Sequence, residues 1–247
     1  YRKYSGNTNT YNDNTNSTNG WKYVEATNAA SPFSFSLNLS LLYGGFEAGD
    51  AIQYFVVAQD SGTAVPPTPN VGINLGTFNA TPSSVALTSA AFGITGTINA
   101  FPILPCEGTV NIGTGEKYTA FTVSGNLSAE TAGIFQAINA TTLTGDLTIK
   151  VTSDISIETG AVALNQNAGA YKIRIEADGS TLRSISNSAN PSGGLFRMDG
   201  ADNVRFNGGS GTNRYLKFTN THTGSAVFQF LNDATSDTLN NLLIEGS

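Results

Sequence analysis

From Asp146 to the last residue the chain is written in short two-faced phrases: "DLTIKVT", "YKIRIEA", "STLRSIS", "GLFRMDG", "NVRFNG", "RYLKFTN", "AVFQFLN" and "NNLLIEG". Each places a few apolar residues in alternation and then stops at a turn residue. A period of two marks a half-buried strand. Strands this short bury too little to hold a sandwich, which would want longer strands and paired hairpin signals. A solenoid suits them better, because each coil buries a few side chains against its neighbours. The pattern predicts an all-β fold in which residues 105–247 form the N-terminal part of a parallel β-helix.

Two of the phrases echo each other. Setting Asn203-Val204-x-Phe206 over Asn241-Leu242-x-Ile244 gives an offset of 38, whereas setting Leu195 over Val227 gives 32. The longer second turn, Asp233 to Thr238, is expected to absorb the difference, as in a β-helix with loops of variable length. Asn203 and Asn241 are expected at structural corners, where stacked amides can satisfy backbone groups that the corner leaves open. Gly208 and Gly246 would then supply the positive φ of tight corners.

"SAETAGIFQAIN" (Ser128 to Asn139) predicts a short helix near 128–139. Ser128 would be its N-cap, Glu130 and Thr131 lie in the first turn, and Ile134, Phe135 and Ile138 share a face. Its expected role is to cap the open β-edge at the start of the β-helix. Ahead of it, residues 1–104 alternate short strands with turn clusters, as expected of a β-sandwich. "WKYVEA", "FSFSLNL", "AIQYFVVAQD" and "SVALTSAAFGI" are the clearest strands, with Tyr54 a candidate corner tyrosine and Trp21 a core plug. "SGTAVPPTPNVG" is expected to be a loop and "SGNTNTYNDNTNSTNG" a mobile one.

Composition narrows the function classes. Charged residues make up 12% of the chain, the net charge is −6 and the 27 glycines sit among Asn, Thr and Ser. A phosphate-binding basic face is not expected, so nucleic acid is excluded as a partner. No apolar run approaches the ~20 residues of a membrane helix, so no transmembrane segment is expected. The single cysteine, Cys106, precludes an internal disulfide and is expected to be a small half-buried residue. The chain opens mid-phrase without Met and stops straight after a repeated motif, so it reads as an internal piece of a longer protein with further coils to follow.

Signals of catalysis are sparse. Arg197, Asp199, Asp202 and Arg205 could supply an acid–base pair on a β-helix face, but charges pointing outward from successive coils form a solvated surface by default. His222 is the only histidine and lies in a turn without the neighbours a zinc site needs. No nucleophile elbow, phosphate loop or dinucleotide fingerprint occurs in a suitable setting. "DGADN" groups Asp199 and Asp202 around a glycine, which makes them calcium candidates. Asp13 stands alone among amides, too little charge for a strong site. Tyr11, Tyr118 and Tyr215 are the outward aromatic candidates.

"GWKYVEATN", "SPFSFSLNLSLLYGG", "AGDAIQYFVVAQD" and "NVGINLGTF" together resemble the Ig/fibronectin-like modules of very large secreted surface proteins of Bacteroidetes. "GEKYTAFTVSGNLSAETAGIFQAINATTLTGDLTIKVTSDI", followed by "LFRMDGADNVRFNGG" and "FLNDATSDTLNNLLIEG", is similar to the right-handed parallel β-helix module found beside them. The resemblance implies export by the type IX secretion route and display at the cell surface, in adhesion, surface filaments or gliding. "DTL" (Asp237 to Leu239) also matches the short pattern glycosylated in such proteins, which makes Thr238 a glycosylation candidate. The expected protein is therefore a non-catalytic structural or adhesive segment without a cofactor. Its partners would be surface glycans, other proteins or copies of itself. The alternative is a carbohydrate-binding or polysaccharide-degrading β-helix module.

Overall fold

The computed structural model describes residues 1–60, 69–118, 121, 133–187 and 193–247. The described chain is mostly strands with very little helix, and it divides into two compact units, Tyr1–Ile103 and Leu104–Ser247.

In the N-terminal unit, β1 (Arg2–Lys3), β2 (Ala51–Tyr54) and β5 (Asn99–Pro102) form an antiparallel sheet in the order β1-β2-β5. A separate hairpin joins β3 (Val57–Gln59) to β4 (Val71–Ile73). The expected strands at 21–26, 33–39 and 84–94 are irregular instead. The alternation of "FSFSLNL" is covered only at its end: Leu37 and Leu39 are partly buried against Tyr1, Leu42 and Ile52, whereas Phe33 is 59% exposed and Phe35 is exposed beside it. Trp21 is 1% exposed, packed edge-on against Phe55 at 4.8 Å, with its Nε1 donating to Asn9 Oδ1 at 2.8 Å. Asn9 also brackets Ile94, donating to its carbonyl oxygen at 2.7 Å and accepting from its amide at 3.1 Å. The polar segment expected to be a mobile loop is thus tied to the core at Asn9. It also folds on itself, since Asp13 accepts from Thr15 and Thr18. Those hydroxyl bonds, that from Thr18 foremost, hold the Asp13 carboxyl down at about 2.

The C-terminal unit is built from parallel pairs. The first sheet runs β6 (Gly108–Ile112), β7 (Leu147–Val151), β10 (Ile173–Ala177), β13 (Val204–Asn207) and β16 (Thr238–Asn240). A second runs β8 (Ile155–Glu158), β11 (Arg183–Asn187), β14 (Leu216–Asn220) and β17 (Leu242–Gly246). A third runs β9 (Leu164–Asn165), β12 (Gly194–Asp199) and β15 (Ala226–Leu231). From β7 onward the chain visits the three sheets in fixed rotation, so each circuit lays one strand on every sheet. Parallel sheets usually read as continuous apolar runs because both faces are covered. Here each strand faces inward on one side only, which is why the sequence alternates.

The inward positions stack in rows. Ile149, Ile175 and Phe206 are in register on the first sheet, and Ile185 and Phe218 on the second. Phe196 and Phe228 are in register on the third. The rings meet in the middle: Phe196 and Phe218 at 5.1 Å, Phe206 and Phe228 at 4.9 Å, Phe121 and Phe135 at 4.9 Å. Each such side chain contributes roughly 1.5–3 kcal/mol by leaving water. Burial weakens in the last members of the rows: Phe230, in register with buried Met198, is already exposed. Phe206 is 1% exposed but Leu239, the next residue in its row, is 39% exposed; Phe218 is 0% exposed and Ile244 47%. Among the described residues no strand stacks on β15, β16 or β17 from the far side.

This register corrects the echo. Arg205 pairs with Thr238 and Phe206 with Leu239, so the phrase after Gly200 repeats in "ATSDTLN" at an offset of 33, not in "NNLLIEG". Leu242 pairs with Leu216 on the second sheet. Asn203 and Asn241 therefore precede strands of different sheets and do not stack. The pairing of Phe196 with Phe228 keeps the offset of 32 on the third sheet, so a single extra residue near Asn232 makes up the difference.

Helix α1 (Ile134–Asn139) is shorter than expected. Gly133, in extended conformation, precedes its first turn without a side-chain cap. The helix therefore begins too late for Ser128 to cap it. Ser128, Glu130 and Thr131, like most of the Pro-rich segment, lie outside the described residues. Ile134, Phe135, Ala137 and Ile138 are buried, so the expected apolar face exists.

Gly208 is required by contact and not by φ. It has an ordinary negative-side backbone, and a methyl group there would overlap the Asn241 carbonyl. At Gly246 the nearest atom to such a methyl is Val227 Cγ2 at 4.0 Å. Chemical denaturation is expected to find Gly208→Ala destabilised by about 2 kcal/mol or more and Gly246→Ala within about 0.5 kcal/mol of the parent.

Candidate functional site

Residues singled out by sequence are distributed over all three faces of the C-terminal unit. Arg197 and Asp199 belong to β12 on the third sheet, and Arg205 to β13 on the first. They do not converge. Arg197 donates to the carbonyls of Gly160 and Ala161 at 2.9 and 3.1 Å, one circuit away. Asp199 accepts from the Asn232 amide. Asp202 accepts from the Thr235 amide and hydroxyl at 2.8 and 2.7 Å on one side and from Gln166 at 3.4 Å on the other. The Thr235 hydroxyl, with the Thr235 amide, holds the Asp202 carboxyl below the usual carboxylate range. These carboxylates are struts between circuits. Among the described residues no group of three or more His, Cys, Asp or Glu side chains is placed to hold a metal ion.

The corners use asparagine in a way the sequence only half revealed. Asn203 and Asn241 themselves take positive φ, at 61° and 51°. Asn and Asp tolerate that region better than other side-chain-bearing residues. Glycine is needed instead at Gly200, whose φ is 70°, in the same turn. Asn241 Nδ2 donates to the Gly209 carbonyl at 2.9 Å, so its amide bridges two circuits without a second Asn. Gly246 lies in β17 at ordinary φ. Thr238 is exposed on β16, beside Arg205, with the Asp237 carboxyl accepting from the Val204 amide at 2.8 Å. Burial, with the Asp202 charge adding to it, pushes the Asp237 carboxyl up.

The outer face of the first sheet is where polar side chains gather. One outward row reads Asn111, Lys150, Glu176, Asn207 and Asn240. In it Lys150 and Glu176 form an ion pair of 3.0 Å, and Asn240 donates to Asn207 Oδ1 at 3.1 Å. The neighbouring row reads Thr109, Thr148, Arg174, Arg205 and Thr238. Beside these rows lies an open groove of about 340 Å³, lined by Lys150, Glu176, Asn207, Ser210 and Tyr215 with glycine backbone between them. Of the three aromatic candidates only Tyr215 lines it. Tyr118 is buried, and Tyr11 stacks on Phe92 at 5.5 Å in the N-terminal unit.

Sequence reasoning missed Glu158, the most unusual titratable side chain of this unit. It is fully buried at the end of β8, accepts from the Phe121 amide at 2.7 Å through Oε1, and among the described residues leaves Oε2 without a partner. Burial raises its pKa to about 8. In the next circuit Asn187 occupies the paired position. A first-circuit acid in place of the amide supplies an acceptor for Phe121 at the edge of the second sheet. Asn139, the last residue of α1, does the same for the third sheet: it accepts from the Asn165 amide at 3.0 Å and donates to the Ala163 carbonyl at 2.8 Å. Cys106 is exposed, not half-buried, and His222 lies in its turn with Nδ1 accepting from the Gly224 amide at 3.3 Å.

Because the folded pKa of Glu158 lies above its ordinary 4.5, the folded chain keeps a proton that the unfolded chain releases. Stability is then present at low pH and lost as pH rises from about 4.5 through about 8. The melting temperature of the parent is expected to fall across that window, and that of Glu158→Gln to stay flatter. Calcium is expected to move the melting temperature no further than magnesium does, since Asp199 and Asp202 are already engaged.

Comparison with protein-family models, with curated proteins and with solved structures finds no match for this chain.

Proposed function

We propose that the chain is a structural and adhesive segment of a large secreted cell-surface protein. In this reading Leu104–Ser247 is the start of a right-handed parallel β-helix capped by α1, and Tyr1–Ile103 is an Ig/fibronectin-like module. The observation that carries it is the stacking of successive circuits on three parallel sheets in a register kept by apolar rows inside. Such a body transmits load well, because each strand is bonded to the strands on either side and no circuit can leave alone. Its polar side chains serve the same end: Arg197, Asp202 and Asn241 tie one circuit to another. Export through the type IX route follows from the family resemblance. No helix among the described residues is long and apolar enough to cross a membrane.

A second reading, a carbohydrate-binding or depolymerising module, is favoured by the groove beside Tyr215. Turnover separates the two. The purified chain, incubated with a panel of acidic and neutral polysaccharides, is expected to release no new reducing ends while retaining some of them on an affinity gel. Reproducible, time-dependent chain cleavage would overturn the structural and adhesive reading in favour of an enzyme.

A further inference from the structure

We infer that the outer face of the first sheet binds an anionic polysaccharide, receiving its carboxylate or sulfate groups on Arg174 and Arg205. This rests on the adhesive reading and adds a ligand class to it. Arg174 and Arg205 are directly opposed on β10 and β13, and both are exposed. Neighbouring strands lie about 4.8 Å apart, so two like charges are held close together. Directly opposed like charges work against a sheet. The chain avoids that problem elsewhere: Lys150 opposes Glu176 one row away, and on the second sheet Lys217 opposes Glu245 at 2.8 Å. Among the described residues neither Arg174 nor Arg205 makes an ion pair or a hydrogen bond. Two unpaired guanidinium groups therefore stand side by side on a chain whose net charge is −6.

A guanidinium presents a planar fork of donors that matches a carboxylate or sulfate with two parallel hydrogen bonds. The surroundings suit the rest of a sugar. Thr148 and Thr238 extend the arginine row on either side, and Asn207 and Asn240 offer amides in the next one. Tyr215 adds an apolar ring face at the groove, with Gly209 leaving room for it. The spacing between circuits is comparable to the length of one sugar unit, so a polymer lying along the stack meets the face once per circuit. Nucleic acid fits less well. It draws its affinity from many phosphate contacts and from stacking platforms, whereas these two rows hold three cations, Lys150, Arg174 and Arg205, with Glu176 among them.

The test uses the whole chain, with polygalacturonate and chondroitin sulfate as carboxylate and sulfate probes. Fully methyl-esterified polygalacturonate serves as the neutral probe and oligothymidylate as the nucleic-acid probe. Binding of at least one acidic polysaccharide is expected, weakening with salt, and the probe that binds identifies the acidic group. The double variant R174Q/R205Q is expected to lose at least tenfold in affinity, while Lys217→Gln on the second sheet keeps it. The same variant should melt no lower than the parent, since it removes a repulsion, and added polysaccharide should raise the melting temperature of the parent alone. Absence of polyanion binding, undiminished binding by the double variant, or equally tight binding of oligothymidylate at the same salt overturns the site. Retention of the neutral probe by parent and variant alike also overturns it but leaves the adhesive reading standing. Release of reducing ends overturns the adhesive reading and leaves the site.

Discussion

The C-terminal unit depends on backbone pairing between parallel strands that must hold on three sheets at once. A slip of one residue on any sheet would turn its inward residues outward. Ile175, Ile185 and Phe196 would then leave the interior together, because the strands that carry them belong to one circuit. That coupling explains why the turns can vary so freely. One extra residue near Asn232 is absorbed in a corner, while the pairs on either side, Asp199 with Leu231 and Arg205 with Thr238, keep their partners.

A stack of this kind has edges, and at its start they are managed by polar side chains as well as by apolar cover. Asn139 from α1 meets the third sheet, and Glu158 turns an acceptor toward Phe121 beside the second. Both side chains answer backbone groups that would otherwise be left unpaired. Asn139 is neutral and engaged on both sides of its amide. Glu158 is a buried carboxyl whose second oxygen has no partner among the described residues, which makes the edge of the second sheet responsive to pH. The aromatic rings of Phe121, Phe135 and Phe196 fill the space behind these contacts.

The outside of the stack follows a different logic from the inside. Register forces outward residues into rows just as it forces inward ones, so any charge is set beside its counterpart on the next circuit. Lys150 with Glu176 and Lys217 with Glu245 use that proximity to pair. Arg174 with Arg205 does not, and this is the place on the first sheet where the surface departs from what the fold alone would favour. Proteins commonly depart from local rules where something binds, which is the basis for assigning a ligand there.

Much of the architecture was legible in the sequence. The period of two in "YKIRIEA" and "NVRFNG", with turn residues after each, determined short strands with one apolar side, and that composition cannot bury itself except by stacking. Leu195 over Val227 was also readable, because a long apolar phrase recurred with its spacing intact. The partner of "ADNVRFN" was not. Its true counterpart, "ATSDTLN", shares little beyond alternation, since corner chemistry changes from Asn203 to Ser236 while the backbone keeps the same left-handed turn. Strands at 33–39 failed for the converse reason: the alternation was present, but the core around Tyr1, Leu42 and Ile52 meets only Leu37 and Leu39 and leaves Phe33 and Phe35 exposed. Tertiary structure alone decided which rows stand side by side. Arg174 and Arg205 are 31 residues apart in the chain, Glu158 and Phe121 37, and nothing local to either residue announces the other. Alternation specifies which way a side chain faces; only the closed circuit specifies its neighbour.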